Sequence, residues 1–164
     1  MKTKKITNKT IQNNEVFNQL SKDWWNNDGP FEALHSFNFI RIKYIKDFLK
    51  INSINSIKKI RILDVGCGGG ILCEPLARLG AKVIGIDVNE KAIKSAKHHS
   101  ANNNLKIEYH CTDIGEFNPK EKFDLVICME VLEHVDDVEL IVKNIKRLLR
   151  KDGLFIGSTI NRTL

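Results

Sequence analysis

Residues 61–70 read Arg61-Ile62-Leu63-Asp64-Val65-Gly66-Cys67-Gly68-Gly69-Gly70, an apolar run that leads directly into a glycine-rich turn. Glycine has no Cβ and tolerates unusual backbone angles, so a ligand can approach such a turn closely where it joins a strand to a helix. A dinucleotide-binding loop would have glycine at the sixth position counted from Gly66, where this chain has Ile71. The stretch therefore predicts the first strand and ligand-binding turn of an α/β domain, and it disfavours a pyrophosphate site.

After residue 60, short apolar runs alternate with amphipathic segments, which is typical of βα units on a parallel sheet. We predict a Rossmann-like α/β fold with five parallel strands and helices on both faces. The clearest helix is predicted over residues 137–150, where apolar residues form one stripe and Lys and Arg residues face water. The predicted strands are Arg61–Val65, Lys82–Ile86, Ile107–His110, Phe123–Cys128 and Leu154–Ser158.

The chain divides into three predicted parts. Residues 60–164 form the α/β core. Residues 15–59, which we call the cover segment, have apolar residues at helical intervals up to residue 49, so we expect two or three helices there, broken near residues 27–30 and followed by a loop. Residues 1–14 are rich in Lys, Thr and Asn without periodicity, and we expect a flexible basic arm.

The net charge of +6 is unevenly distributed. Residues 1–60 contain eleven Lys or Arg and five Asp or Glu, whereas residues 61–164 contain fifteen of each. This excess suits contact with an anionic surface, either lipid headgroups or nucleic acid, although a solvated lysine-rich leader is the alternative. The four cysteines lack metal-binding spacing and no apolar secretory signal opens the chain, so we expect free thiols and a cytoplasmic location. A transit peptide is the alternative, because no acidic residue precedes Glu15.

Acidic residues at the glycine turn and at the strand ends favour S-adenosylmethionine as the cofactor. Asp87 ends the second strand, where a carboxylate can accept hydrogen bonds from both ribose hydroxyls of a nucleoside. Asp113 follows the third strand, where an adenine amino group would be recognised, although a local turn cap is the alternative. The residues predicted to contact the cofactor on this basis are Asp64, Gly66, Gly68, Gly70, Asp87, Asp113 and Met129.

Glu130, Glu133 and His134 follow the fourth strand, at the sheet edge where ligands bind in this architecture. Two carboxylates and an imidazole within five residues could hold a hard cation or supply a general base, so Glu130 and His134 are the candidate catalytic residues. The alternative is that His134 packs under the loop while both glutamates are solvated. Magnesium is the first expectation for a cation, and the histidine leaves zinc or manganese open.

The aromatic pair Trp24-Trp25 lies in the basic cover segment. One interpretation is packing over the cofactor site, and the other is insertion into a membrane interface, where Trp is enriched. His98 and His99 lie near the end of a lysine-rich helix, and we expect both on the surface.

Taken together, the motifs resemble the ubiquinone-biosynthesis O-methyltransferases, a family of class I methyltransferases that use S-adenosylmethionine. The resemblance runs from about Val16 to Arg162 and is more specific than the glycine turn alone. The motifs that support it are Asp23-Trp24-Trp25, Leu34-His35, residues 41–45, residues 62–72, residues 128–130, residues 132–135, Ser158-Thr159 and Asn161-Arg162.

The resemblance implies methylation of ring hydroxyls on polyprenylated phenol or catechol intermediates of ubiquinone. It also implies that Arg41 lies near the cofactor carboxylate, that Met129 lies near the adenosyl part, and that a divalent cation binds at Glu130, Glu133 and His134. Such a substrate lives in the bilayer, so peripheral association with an anionic membrane is expected, as is contact with other ubiquinone-biosynthesis proteins. Relatives continue past the fifth strand with two more strands, so we expect this sheet to lack its last two strands.

Other functions compete with this one. They are methylation of nucleic acid or another small molecule, and cofactor binding without catalysis, which the expected truncation favours. The residues after the fourth strand argue against nucleic acid as the substrate. Residues 129–132 read Met-Glu-Val-Leu, whereas amino methylases hold a flipped base with an Asn/Asp-Pro-Pro-aromatic loop at this point. A nucleic-acid partner is therefore not expected.

Overall fold

A computed structural model describes residues 15–16, 18–50 and 57–159, in which the predicted strands pair as one parallel sheet. The strands are β1 (Arg61–Val65), β2 (Lys82–Asp87), β3 (Glu108–Cys111), β4 (Phe123–Met129) and β5 (Leu149–Ser158). Their order is β3-β2-β1-β4-β5, so β1 lies between β2 and β4. The strand order reverses there, and such sheets bind ligands at the carboxyl edge of that point. The predicted five-stranded parallel sheet is confirmed, while the predicted arm at residues 1–14 lies outside the described residues.

Helices flank the strands, and a short 3₁₀ helix follows β4. The elements are α1 (Glu32–Phe48), α2 (Cys73–Arg78), α3 (Glu90–Asn102), the 3₁₀ helix (Leu132–His134) and α4 (Val138–Leu148). The side chain of Asn89 accepts a hydrogen bond from the N–H of Ala92 at 3.0 Å, and that of Asp137 accepts one from the N–H of Leu140 at 2.8 Å. Because the first N–H groups of a helix have no partner within it, these caps fix where α3 and α4 begin.

Of the three apolar clusters in the described core, the two largest lie on opposite faces of the sheet. Successive side chains of a strand point to opposite faces. Accordingly Ile62, Leu125 and Ile127 pack with residues of α1, α2 and α3, whereas Leu63 and Val126 pack with residues of α4. Full burial of each such side chain stabilises the fold by about 1.5–3 kcal/mol. The prediction of helices on both faces is confirmed.

The junction between α4 and β5 differs from the prediction. The helix ends at Leu148, and β5 begins at Leu149 and not at Leu154. Leu149 has extended backbone angles and pairs with Phe123, after which the register shifts. Gly153 lies in this irregular stretch, where a Cβ would come within 2.9 Å of the Phe123 carbonyl oxygen. The prediction was wrong because Leu149 continues the apolar stripe of the helix but packs on the same core from an extended backbone.

α1 is the principal element of the cover segment. It follows a run of turns over residues 21–31, which includes the break expected near residues 27–30. Ile45 is its buried residue, through which the helix packs on the sheet. Its exposed large apolar side chains are Phe37, Phe39, Ile40, Tyr44 and Phe48. None of the described helices is both long enough and apolar enough to cross a membrane.

Candidate cofactor site

The glycine turn joins β1 to α2 through three glycines with positive φ. The φ angle is 71° at Gly66, 52° at Gly68 and 84° at Gly70, a region that residues with a Cβ rarely adopt. Space is also restricted, because a Cβ on Gly68 would lie 2.4 Å from the Trp24 ring. The N–H of Gly66 donates to the carbonyl of Ile86 at 2.8 Å. The turn is therefore attached to the end of β2, and the Trp24 ring packs on Gly68, where a Cβ would leave it no space.

Asp87 ends β2 and faces this turn. One of its carboxylate oxygens accepts a hydrogen bond from the N–H of Gly68 at 2.9 Å, and the other accepts one from the N–H of Asn89 at 2.8 Å. Burial raises the pKa of Asp87, and these backbone donors act in the opposite direction. Each carboxylate oxygen can accept a second hydrogen bond, so Asp87 is able to receive the two ribose hydroxyls for which the sequence predicts it.

Asp64 lies beneath the turn and is only 3% exposed. Burial raises its pKa to about 7, against the hydrogen bond that the Cys73 thiol donates to it at 3.2 Å. The charge of Asp87 raises this pKa further and that of Arg41 lowers it, so the three predicted residues lie close enough to act on one another electrostatically. Little of Asp64 is open to a ligand, and its effect on the site is therefore electrostatic. Cys73, like the other three cysteines, is a free thiol, as predicted.

Arg41 extends from α1 towards the end of β4, where its guanidinium lies 3.6 Å from the carboxylate of Glu130. The hydroxyl of Ser158 donates to the same carboxylate at 2.6 Å, and the N–H of Glu130 donates to the carbonyl of Ser158 at 3.0 Å. Glu130 has a φ of 54°, which is uncommon for a residue other than glycine and frequent at ligand sites. The ends of β4 and β5 and the middle of α1 thus meet in one polar cluster.

The structure does not assemble the predicted cation site. Glu130 is engaged by Arg41 and Ser158, and Glu133 accepts a hydrogen bond from the Thr159 hydroxyl at 3.0 Å. Within the part of the chain that the structure describes, no three His, Cys, Asp or Glu side chains lie together as a metal site. The donor set in this arrangement does not fit a cation. The magnesium site therefore stays a prediction without structural support.

His134 ends the 3₁₀ helix, where its N–H donates to the carbonyl of Val131 at 2.9 Å. The residue is half-buried and lies near Glu133. Burial works to raise the pKa of Glu133, but its hydrogen bonds and the charge of His134 outweigh burial, and the pKa is lowered. Glu133 is therefore ionised at neutral pH. The two side chains therefore interact through their charges, and an imidazole at this edge of the sheet is a candidate general base.

Asp113 and Met129 lie near the ends of β3 and β4. A carboxylate oxygen of Asp113 accepts a hydrogen bond from the N–H of Gly115 at 2.8 Å, which is the local turn expected as the alternative to an adenine contact. Arg147 of α4 fixes the same loop by donating to two of its carbonyl groups, at 3.0 and 3.1 Å. Met129 is half-buried against the apolar cluster that contains Ile45. Both predicted cofactor residues are thus placed at the carboxyl edge of the sheet.

Trp24 and Trp25 pack on the glycine turn. Trp24 is 6% exposed and stacks on Phe31, with ring centroids 3.9 Å apart. The indole N–H of Trp25 donates to the carbonyl of Gly69 at 3.0 Å. Both rings thus pack on the glycine turn, which agrees with the first interpretation. Membrane insertion of Trp24 is wrong, because its ring is buried against the protein.

Sequence reasoning missed two contacts that hold this packing. His99 was expected on the surface, but its Nδ1 lies 2.6 Å from a carboxylate oxygen of the buried Glu74, whereas its neighbour His98 is exposed. The side-chain amide of Asn38 donates to the carbonyl of Ile71 at 2.6 Å. Glu74 interrupts the apolar stretch that follows the glycine turn, and this acidic residue was the one sequence signal for its contact with His99.

Comparison with protein families places the chain among methyltransferases. The methyltransferase domain family matches residues 63–157, more than half of the chain. The ubiquinone biosynthesis O-methyltransferase of Pelagibacter ubique (strain HTCC1062) is 44% identical over 155 residues, which are 92% of this chain and 65% of the relative. The protein of the same name from Bartonella tribocorum (strain CIP 105476 / IBS 506) is 43% identical over 166 residues, covering 96% of this chain and 67% of the relative.

The solved structures that resemble the chain agree on the fold. Magnesium protoporphyrin IX methyltransferase from Synechocystis PCC 6803, solved with bound SAM, superposes with a TM-score of 0.72 at 21% identity, covering 90% of this chain and 74% of that one. The PH0226 protein from Pyrococcus horikoshii OT3 also gives a TM-score of 0.72, at 19% identity, covering 90% and 62%. At such identities the likeness shows a shared architecture only. The chain spans 59–67% of the length of the curated relatives it matches.

Proposed function

Because the chain belongs to the ubiquinone-biosynthesis O-methyltransferase family, we propose that it binds S-adenosylmethionine and methylates a ring hydroxyl of a polyprenylated phenol or catechol. The observation that supports this most is the convergence of Arg41, Gly68 and Asp87 at the carboxyl edge of the sheet. These residues come from three separate parts of the chain, and each has the chemistry that one part of the cofactor requires.

The residues fit the cofactor in a definite order. Asp87 accepts the ribose hydroxyls, and Gly68, whose N–H donates to Asp87 at 2.9 Å, brings the backbone of the turn next to that carboxylate with no Cβ between them. Arg41 supplies a cation for the carboxylate at the other end. Its side chain is only 16% exposed, so its attraction for an anion is less screened by water than that of a surface arginine. Asp113 and Met129 lie on the adenosine side.

Methyl transfer from a sulfonium needs the attacking oxygen, the methyl carbon and the sulfur in line, so positioning supplies most of the rate. The sulfonium provides the activated methyl group. The oxygen–carbon bond forms as the carbon–sulfur bond breaks, and the phenol proton must leave. We assign that proton to His134, which lies just beyond β4 and next to the ionised Glu133. Glu130 contributes by pairing with Arg41, and no step of this mechanism uses a metal.

Methyl transfer to a short-chain catechol analogue tests the proposal. The wild-type chain should convert the analogue, and His134→Gln should lower the rate by about 10²–10⁴-fold without changing the affinity for S-adenosylhomocysteine. His98→Gln is the matched control, because that histidine is exposed and lies away from the carboxyl edge. The Pelagibacter relative assayed in parallel shows whether the analogue is accepted. An unchanged rate in His134→Gln would remove His134 from the mechanism, and conversion by the relative alone would contradict the activity proposed for this chain.

A substrate with a polyprenyl tail resides in a bilayer, and the basic excess of residues 1–60 suits an anionic one. We therefore include peripheral association with anionic membranes in the proposal, with other ubiquinone-biosynthesis proteins as further partners. In a sedimentation assay, vesicles containing phosphatidylserine should bind the protein at low salt and release it as the salt concentration rises. Equal binding to neutral vesicles would show that charge does not drive the association.

A further inference from the structure

Glu74 is a buried carboxylate outside the edge where ligands are expected. It lies in α2, directly after the glycine turn, and is 2% exposed. Burying a carboxylate is costly unless it is paired and hydrogen-bonded. Arg78 donates to one of its oxygens at 3.2 Å, and the Nδ1 of His99 lies 2.6 Å from the other. The carboxylate can only accept, so Nδ1 is the nitrogen that bears the hydrogen.

The ring of His99 packs against the cover segment through Trp25. It stacks on Trp25 with centroids 3.5 Å apart and an angle of 6° between the ring planes. The indole N–H of Trp25 in turn donates to the carbonyl of Gly69 at 3.0 Å. The carboxylate of Glu74, the imidazole, the indole and the glycine turn thus form one continuous series of contacts. Stacking of an imidazole on an indole adds an attraction beyond the burial of the two rings, and this attraction is stronger when the imidazole is charged.

The same contacts determine where α1 lies. The Nε2 of His35, near the start of α1, is 2.8 Å from the carbonyl of Trp24, and Asn38 donates to the carbonyl of Ile71 at 2.6 Å. Arg41 follows Asn38 by three positions on this helix, so the two side chains lie on one face. Fixing the tryptophans on the glycine turn therefore also fixes Arg41.

We propose that Glu74 and His99 are positioning residues of the cofactor site. They hold Trp25 against the glycine turn, and through the cover segment they place Arg41 where it meets the carboxylate of the cofactor. The inference rests on the proposed function, but it concerns residues on α2 and α3 that the family resemblance does not implicate.

Calorimetric titration with S-adenosylhomocysteine tests the inference. His99→Gln should weaken binding by about tenfold, as expected for the loss of one stacked, hydrogen-bonded ring. His98→Gln, an exposed neighbour on the same helix, should bind like the wild type. The two tryptophans of the chain both lie in the cover segment, so indole emission reports on it alone. His99→Gln should shift that emission towards the red, and His98→Gln should not.

A double-mutant cycle separates positioning from general stability. If His99 acts through Arg41, His99→Gln should cost little further affinity once Arg41 has been replaced by Ala. An equal loss in both backgrounds, or equal affinity of His99→Gln and the wild type, would overturn the inference. Should His99→Gln fail to fold, Trp25→Phe takes its place, since it keeps a ring but lacks the N–H that Gly69 accepts. A wild-type chain that does not bind S-adenosylhomocysteine would overturn the proposed function instead.

Discussion

Replacing Asp64 by Asn removes a buried ionisable group while keeping its shape. Burial raises the pKa of Asp64 from 3.8 to about 7, despite the hydrogen bond from Cys73 and the charge of Arg41. A carboxyl with a higher pKa in the folded than in the unfolded state binds more protons when folded. The stability it contributes is therefore complete below about pH 4 and is lost as the pH rises through about 7.

The magnitude follows from the same values. One pKa unit corresponds to about 1.4 kcal/mol, so the difference between 3.8 and about 7 sets an upper limit of about 4 kcal/mol on this loss. Urea titrations give the free energy of unfolding at each pH. From about pH 4.5 to 8 that free energy should fall in the wild type and fall much less in Asp64→Asn.

Asp47→Asn is the matched control, because Asp47 has 64% of its side chain exposed and forms a surface pair with Lys43. This variant should keep the pH dependence of the wild type. The reasoning is refuted if Asp64→Asn and the wild type lose stability in parallel over this range. It is also refuted if Asp47→Asn removes as much of the pH dependence as Asp64→Asn does.

Other expected outcomes concern the turn, the loop after β3 and the thiols. Gly68→Ala should abolish S-adenosylhomocysteine binding in calorimetry, because a Cβ there has a strained φ and lies 2.4 Å from the Trp24 ring. Arg147→Ala should lower the melting temperature by about 2–8 °C through loss of its loop hydrogen bonds, whereas the exposed Lys143→Ala should not. Mass spectrometry after brief alkylation near neutral pH should find Cys111 alone modified, since the other three cysteines are buried; labelling of a buried thiol would contradict this packing.

The sheet was predictable from the sequence because its signals are local. The three central strands β1, β2 and β4 are short apolar runs, and the glycine turn stands where the first run ends. The positive φ at Gly66, Gly68 and Gly70 is what glycine permits and other residues resist. The carboxyl edge follows from the parallel order, so residues after the strands could be assigned to one site without knowing their contacts.

The pairing of side chains within that site was not predictable. Spacing placed Glu130 and Glu133 near one another, but Arg41 and Ser158, from distant parts of the sequence, determine what Glu130 contacts. The contact between Glu74 and His99 also joins two separate helices. Both depend on how α1 and α3 pack on the sheet, which no local pattern encodes.

The central claim is that this chain binds S-adenosylmethionine at the glycine turn and Asp87. Calorimetry with S-adenosylhomocysteine and NAD, on the wild type and on Asp87→Ala, tests it most directly. The wild type should bind S-adenosylhomocysteine and not NAD, and Asp87→Ala should bind it at least about tenfold more weakly, because hydrogen bonds from ribose hydroxyls to a carboxylate are lost. Equal or tighter binding of NAD, or unchanged affinity in Asp87→Ala, would contradict it.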